Sequence, residues 1–267
     1  MTKTPFNWKL FFILLAGAIL GLVAIVPYAL ALQGDAVSTV VAQSGMPLWM
    51  LLTVQLASQV IVLGVAIWVG LSFGNSVGLG LPLLEARLRG ETIGVRLRRI
   101  LPISILLGVI LALVIIALDV FVFQPVLITQ IGAAASTLVG KAAVKPAAWM
   151  GFLASFYGAI DEEILLRLCV MSFLVWLGRF ISKTADGKPT LAVLWIASVL
   201  AAVLFGVGHL PATAALIPLT PVVVMRSIVL NGLIGVGFGY LYFKHGLESA
   251  MISHFSADIV LHVLFAI

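Results

Sequence analysis

The stretch GAIDEEILLRLCV, residues 158–170, sets three acids and an arginine inside a long apolar run. An ionisable side chain at mid-membrane costs roughly 3 kcal/mol or more unless it is paired or faces water, so each of these groups needs a reason. On a helix of about 100° per residue, Glu163 and Arg167 stand four apart on one face, the spacing of an ion pair. Glu162 is offset by one residue and points elsewhere, and Asp161 points to yet another side. Two readings follow. Either the charges form one structural salt-bridge network, or Arg167 neutralises Glu163 and holds the helix while Glu162 faces a hydrated cavity as an acid or base. Asp161 marks a helix interface or a water-filled mouth.

The rest of the chain explains why the setting is a membrane. Of the 267 residues, 63% are hydrophobic and 9% charged, and the mean hydropathy is +1.24. That composition excludes a soluble globular domain. A bilayer crossing takes about 20 apolar residues at about 1.5 Å each. Seven runs meet that length, at 10–32, 48–72, 101–124, 148–181, 191–209, 222–243 and 249–267. The expected fold is therefore all-α, a polytopic transmembrane helical bundle of about seven spans, within six to eight. The fourth run is too long for one upright span and must tilt, break or project. Ala29 and Ala31 sit where a signal-peptidase site would, but the apolar core before them is too long, so the first run is expected to be an anchor. Cys169 is the sole cysteine, which excludes an internal disulfide and a thiolate metal cluster.

The net charge of +5 is concentrated in EARLRGETIGVRLRR, residues 85–99, which holds five arginines. One short basic loop between apolar runs follows the positive-inside rule, with membrane lipid headgroups as partners and no nucleic acid. The same cytoplasmic side receives Lys3 and Lys9, the loop with Arg179, Lys183 and Lys188, and Lys244, while Lys141 and Lys145 fall opposite. The expectation is a multi-pass integral protein of the cell (plasma) membrane with a cytoplasmic N-terminus. There is no soluble domain and no internal repeat, so function must reside in the bundle. Gly17 with Gly21, and Gly235 with Gly239, are small residues four apart that let helices approach.

Two further polar sites lie in apolar runs. FGVGHLP, residues 205–211, ends a span with His209, a satisfied interfacial residue or a catalyst. In SHFSADIVLH, residues 253–262, His254 and Asp258 share a face, and His262 either continues the stripe or simply ends the helix. Each needs a partner, and a carboxylate near His254 would fix its tautomer. A glutamate, a histidine and a histidine–aspartate pair on three helices suit water activation or metal binding. Glu162, His209 and His254 could hold zinc with an open position. The same groups would also serve a proton-coupled transporter, or sit in an idle membrane scaffold. No HExxH or GxGD occurs. GNSVG, residues 74–78, fits GxSxG formally but follows an apolar helix instead of a strand.

Taken together, Glu162-Glu163-xxx-Arg167, Phe205-xxx-His209 and His254-xxx-Asp258, in that order and each in an apolar span, resemble the three signature motifs of the CPBP intramembrane proteases. That family comprises type II CAAX prenyl proteases and the bacteriocin-processing or immunity proteins also called Abi. The resemblance covers 148–267, which it implies is the catalytic transmembrane core. The helices of 1–147 resemble the family only generally, through LGLPLLEARLRGE, residues 79–91. It implies an endopeptidase acting on a membrane-associated peptide or protein, with an immunity or scaffold protein as the alternative. Glu162 would act as general base on a water assisted by His209, and His254 with Asp258 would face the oxyanion. Glu163, Arg167 and Phe205 would support the site. Many members carry asparagine where this chain has Asp258. An ionised carboxylate repels an oxyanion, so Asp258 would act protonated or by holding His254 as a charged donor. The family is described as metalloproteases, yet a metal-free glutamate mechanism fits the same residues and is preferred over a divalent metal such as zinc.

One tension attends this reading. Glu162 and His209 each lie about 27 to 28 Å of helix from the loop at 182–189, whereas His254 lies about 9 Å from the turn at 244–248 on the same side. Straight upright helices would not bring the three together.

Overall fold

The computed structural model describes residues 6–131 and 146–265. Lys3, Lys141 and Lys145 lie outside them. Every regular element among the described residues is a helix, apart from an isolated bridge between Lys183 and Pro189. The chain opens with α1 (Trp8–Ala24), whose first turn is capped by the Asn7 side chain accepting from the Leu10 amide. Then α2 (Val26–Ser44), with a proline in its first turn, leaves at a 46° bend. Next come α3 (Leu48–Val77), a short α4 (Pro82–Leu88) and α5 (Gly94–Leu118), which runs through a π turn, π1 (Asp119–Phe123), into α6 (Gln124–Ile131).

The second half carries the opening stretch. Here α7 (Ala148–Tyr157), π2 (Gly158–Glu162), π3 (Ile164–Met171) and α8 (Ser172–Gly178) form a nearly continuous helical run. After it come α9 (Leu191–Gly208), a single turn α10 (Leu210–Ala214), α11 (Pro221–His245), α12 (Leu247–Asp258) and π4 (Ile259–Leu264).

Four helices are long and apolar enough to cross a membrane: Leu48–Val77, Gly94–Gln130, Leu191–Ala214 and Pro221–His245. The bent pair α1 and α2 makes a fifth if it is one span. Among the described residues the expected count of about seven is not confirmed. The runs at 148–181 and 249–267 are spliced from short α pieces and π turns and carry buried charge, so neither is a long uninterrupted apolar helix. The outer surface is apolar: Leu20, Trp49, Ile61, Phe121 and Ile196 are each more than half exposed. In water such a surface would aggregate, and in lipid it is the ordinary exterior of a spanning helix.

Where helices touch most closely, the contact residue is small. Gly108 of α5 lies against the Ser253 carbonyl of α12, Gly151 of α7 against the His262 carbonyl, and Gly206 of α9 against the backbone of Ile228. Gly21 faces Asp161, Gly235 faces Ala202 and Gly239 faces Ser198, so the expected packing glycines do sit at interfaces. Helix α12 leaves α11 through Gly246 at φ +96°, a left-handed conformation that glycine takes without strain. That turn is not at the surface. The Leu247 amide donates to the Gly80 carbonyl, and Glu248 Oε1 accepts from the Leu83 and Leu84 amides at 2.9 and 2.8 Å. The LGLP stretch and α4 thus cover the turn and fasten it to the start of α12.

Gly108→Val would drive two methyls into the Ser253 carbonyl, and overpacking of this kind costs about 1–3 kcal/mol. We expect its detergent-solubilised melting temperature to fall well below that of wild type. Gly94→Ala, where an added Cβ meets nothing within 4 Å, should melt close to wild type.

Candidate active site

The centre is built outward from Glu163. Its side chain is 0% exposed, and Oε1 lies 3.0 Å from Nη1 of Arg167, itself 1% exposed. Two charges taken out of water must find each other, because a lone one in this setting is prohibitive. The guanidinium is fixed from three sides. Its Nη2 donates to the Gly235 carbonyl at 3.1 Å, and its carbon lies 4.9 Å from the Phe205 ring centroid and 5.3 Å from that of Phe238. Cation–π contact of this type strengthens as water is excluded. Arg167 therefore ties π3 to α9 and α11 at one point.

His254 enters from α12. Its Nδ1 lies 2.7 Å from Glu163 Oε1, and a carboxylate held by an arginine accepts, so Nδ1 carries the hydrogen. The ring is stacked on Phe238 at 4.6 Å between centroids and meets Phe205 edge-on at 5.8 Å. Its Nε2 is then aimed at two other carboxylates, Glu162 Oε2 at 3.5 Å and Asp258 Oδ1 at 3.7 Å. Gly158 permits this approach, since any side chain there would collide with the Asp258 carboxylate and the His254 ring.

His209 arrives from the end of α9. Its Nδ1 lies 2.9 Å from the Phe205 carbonyl, which can only accept, so Nδ1–H donates there and Nε2 is turned toward Glu162 Oε1 at 3.9 Å. Phe205 packs edge-on against His209 at 4.7 Å. Glu162 thus stands between two imidazoles. It is 21% exposed, whereas Glu163 is sealed.

The three motifs, far apart in sequence, do meet: Glu162 lies 3.9 Å from His209 and 3.5 Å from His254. The turn before α12 is covered by α4, and Leu247 and Ser249 are fully buried. In addition, π2 and π3 make wider turns that rise less per residue than an α-helix, which shortens the path from the loop at 182–189 to Glu162. Such π turns concentrate at functional sites.

Other placements add to the sequence reading. The carboxylate holding the His254 tautomer is Glu163, not only Asp258. His262 is more than a helix end: Nδ1 lies 3.1 Å from the Tyr28 hydroxyl and Nε2 3.9 Å from Asp258 Oδ1. Asp161 is buried against Gly21 of α1, at a helix interface, and neither of its side-chain oxygens has a hydrogen-bond partner among the described residues. The zinc set of Glu162, His209 and His254 is not supported. Among the described residues no group of three His, Cys, Asp or Glu is disposed to hold a metal ion. A second ion pair that the sequence analysis does not single out joins two apolar runs: Arg226 of α11 donates to Asp119 from Nε at 2.5 Å and Nη2 at 2.8 Å. The rule that flagged Glu163 applies equally to an acid at the end of one apolar run and an arginine near the start of another.

Fold and site together define a membrane-embedded helical protein whose buried polar centre is a carboxylate flanked by two histidines. Residues 144–260 match the family model described as type II CAAX prenyl endopeptidase Rce1-like. The match is consistent with the CPBP intramembrane proteases and points to intramembrane protease activity. No curated protein and no solved structure matches the chain.

Arg167→Met would leave Glu163 buried without its counter-charge, a loss of about 3–5 kcal/mol. We expect a large drop in unfolding free energy in mixed micelles. Glu163→Gln in the same chain should restore part of it, and a double variant no more stable than Arg167→Met would contradict the pairing.

Proposed function

We propose that the protein is an intramembrane endopeptidase that hydrolyses a peptide bond in a membrane-associated peptide or protein, with Glu162 activating the water. The observation that carries this reading is Glu162 set between His209 Nε2 at 3.9 Å and His254 Nε2 at 3.5 Å, exposed where its neighbour Glu163 is sealed. A gap of 3.9 Å is too long for a direct hydrogen bond and suits a shared water. Glu162 takes a proton from that water as hydroxide adds to the scissile carbonyl, then passes it to the leaving amine. With its Nδ1–H committed to the Phe205 carbonyl, His209 offers Nε2 to orient the same water.

The developing oxyanion needs a donor. As the imidazolium, His254 donates from Nδ1 to Glu163 and from Nε2 into the site, and Asp258 at 3.7 Å favours that charged form. This answers the departure at Asp258: the carboxylate serves by holding His254, not by facing the oxyanion. Glu163, Arg167 and Phe205 position these groups without touching substrate. Residues 148–267 would form the catalytic core, and the arginine-rich loop would face the cytoplasm.

The test is cleavage of a quenched fluorescent peptide panel, with CAAX-type prenylated and leader-type members, by wild type and by Glu162→Gln in detergent. General-base removal should lower the rate by at least about a hundredfold, with an unchanged melting temperature. A Glu162→Gln variant that cleaves as fast as wild type would falsify the assignment. Substrate accumulation that follows an imposed proton gradient would favour a transporter instead.

A further inference from the structure

Away from the catalytic centre, a cavity of about 530 Å³ is lined by Pro82 and Leu83 of α4, Arg96, Arg99 and Ile100 of α5, and Tyr240, Lys244 and His245 of α11. Two arginines and a lysine from two separate helices converge on it. Among the described residues none of them forms an ion pair, and Arg96 acts on the Glu91 carboxylate only at longer range. Among the described residues the lysine and arginine ion pairs lie elsewhere, at Arg89–Glu91, Arg167–Glu163, Lys188–Asp186 and Arg226–Asp119. The nearby acids are engaged. Glu248 accepts from the Leu83 and Leu84 amides, Glu85 from the Leu81 amide, and the hydrogen bond from Arg89 holds the Glu91 carboxyl below its ordinary range.

The cavity's height is marked independently. Tyr240 stacks on Trp195 with centroids 5.8 Å apart, and Phe243 packs edge-on against both. Amphipathic aromatic side chains gather at the level of lipid headgroups. The lining combines cations with the apolar side chains of Pro82, Leu83 and Ile100. An arginine fork matches phosphate oxygens in pairs, and a lysine adds a point charge.

We infer that this cavity is a binding site for a phosphate-bearing anion, and that its occupant is the headgroup of an anionic phospholipid. The lipid's phosphate lies among Arg96, Arg99 and Lys244, and its glycerol and upper chain lie against Ile100 and Leu83. This site is independent of the peptidase chemistry. It spans α4, α5 and α11, so an occupant bridges the elements that cover the turn into α12.

The experiment titrates full-length protein in detergent with short-chain phosphatidylglycerol, phosphatidylcholine or inorganic phosphate, and reads bound lipid by native mass spectrometry. The pocket variant is Arg96→Gln/Arg99→Gln/Lys244→Gln. A control, Arg87→Gln/Arg98→Gln/Lys183→Gln, removes the same charge elsewhere. Phosphatidylglycerol should bind wild type more tightly than phosphatidylcholine. At about fivefold per cation, the pocket variant should weaken it on the order of a hundredfold while the control changes it little. If the triple variant does not fold, Arg99→Lys keeps the charge, loses the fork, and should still weaken binding severalfold. Inorganic phosphate that displaces the lipid from wild type alone would support the site and make the free anion its occupant. Equal losses in both triple variants, or equal binding of the two lipids by wild type, would overturn the proposal by reducing it to a diffuse surface charge.

Discussion

One carboxylate in a water-free interior governs the arrangement. Glu163 has no solvent to share its charge with, so Arg167 must lie beside it, and the arginine in turn needs partners for its remaining surface. It finds them in two aromatic rings and a backbone carbonyl from α9 and α11. The same Glu163 oxygen takes the hydrogen of His254 from α12. Four segments are thereby referenced to a single buried charge. Glu162 inherits its position as the residue immediately before Glu163 in the chain. The pair divides its labour by environment, the sealed carboxylate fixing geometry and the half-open one facing outward.

Several parts of this arrangement were legible because they depend on local spacing. Four residues between Glu163 and Arg167 give a shared face, and the structure puts them at 3.0 Å. The offset of Glu162 from that face was equally readable, as were Phe205 with His209 and His254 with Asp258, pairs whose members do touch or approach. Mean hydropathy and basic-loop placement identified a membrane bundle without reference to any contact.

What resisted reading is what depends on which helix meets which. The rule that an intramembrane acid needs a partner is silent on the partner's identity, so Glu163 as the His254 anchor, Tyr28 opposite His262, and Asp119 with Arg226 emerged only from the packing. The span count was hard to read for a different reason. A hydropathy window sees 148–181 and 249–267 as apolar, but the helical hydrogen bonding changes to π turns within both, and the polar centre lies at those changes. The contact of the 246–248 turn with Gly80 and α4 was equally hidden, because it joins segments more than 160 residues apart.

That buried turn also affects how the chain's topology is measured. Gly246, Leu247 and Ser249 are sealed beneath a neighbouring element, so a thiol-reactive label or protease that maps exposed connections would find nothing between α11 and α12. Such mapping would fuse two antiparallel helices into one crossing. It would then assign the end of the chain to the wrong side of the bilayer.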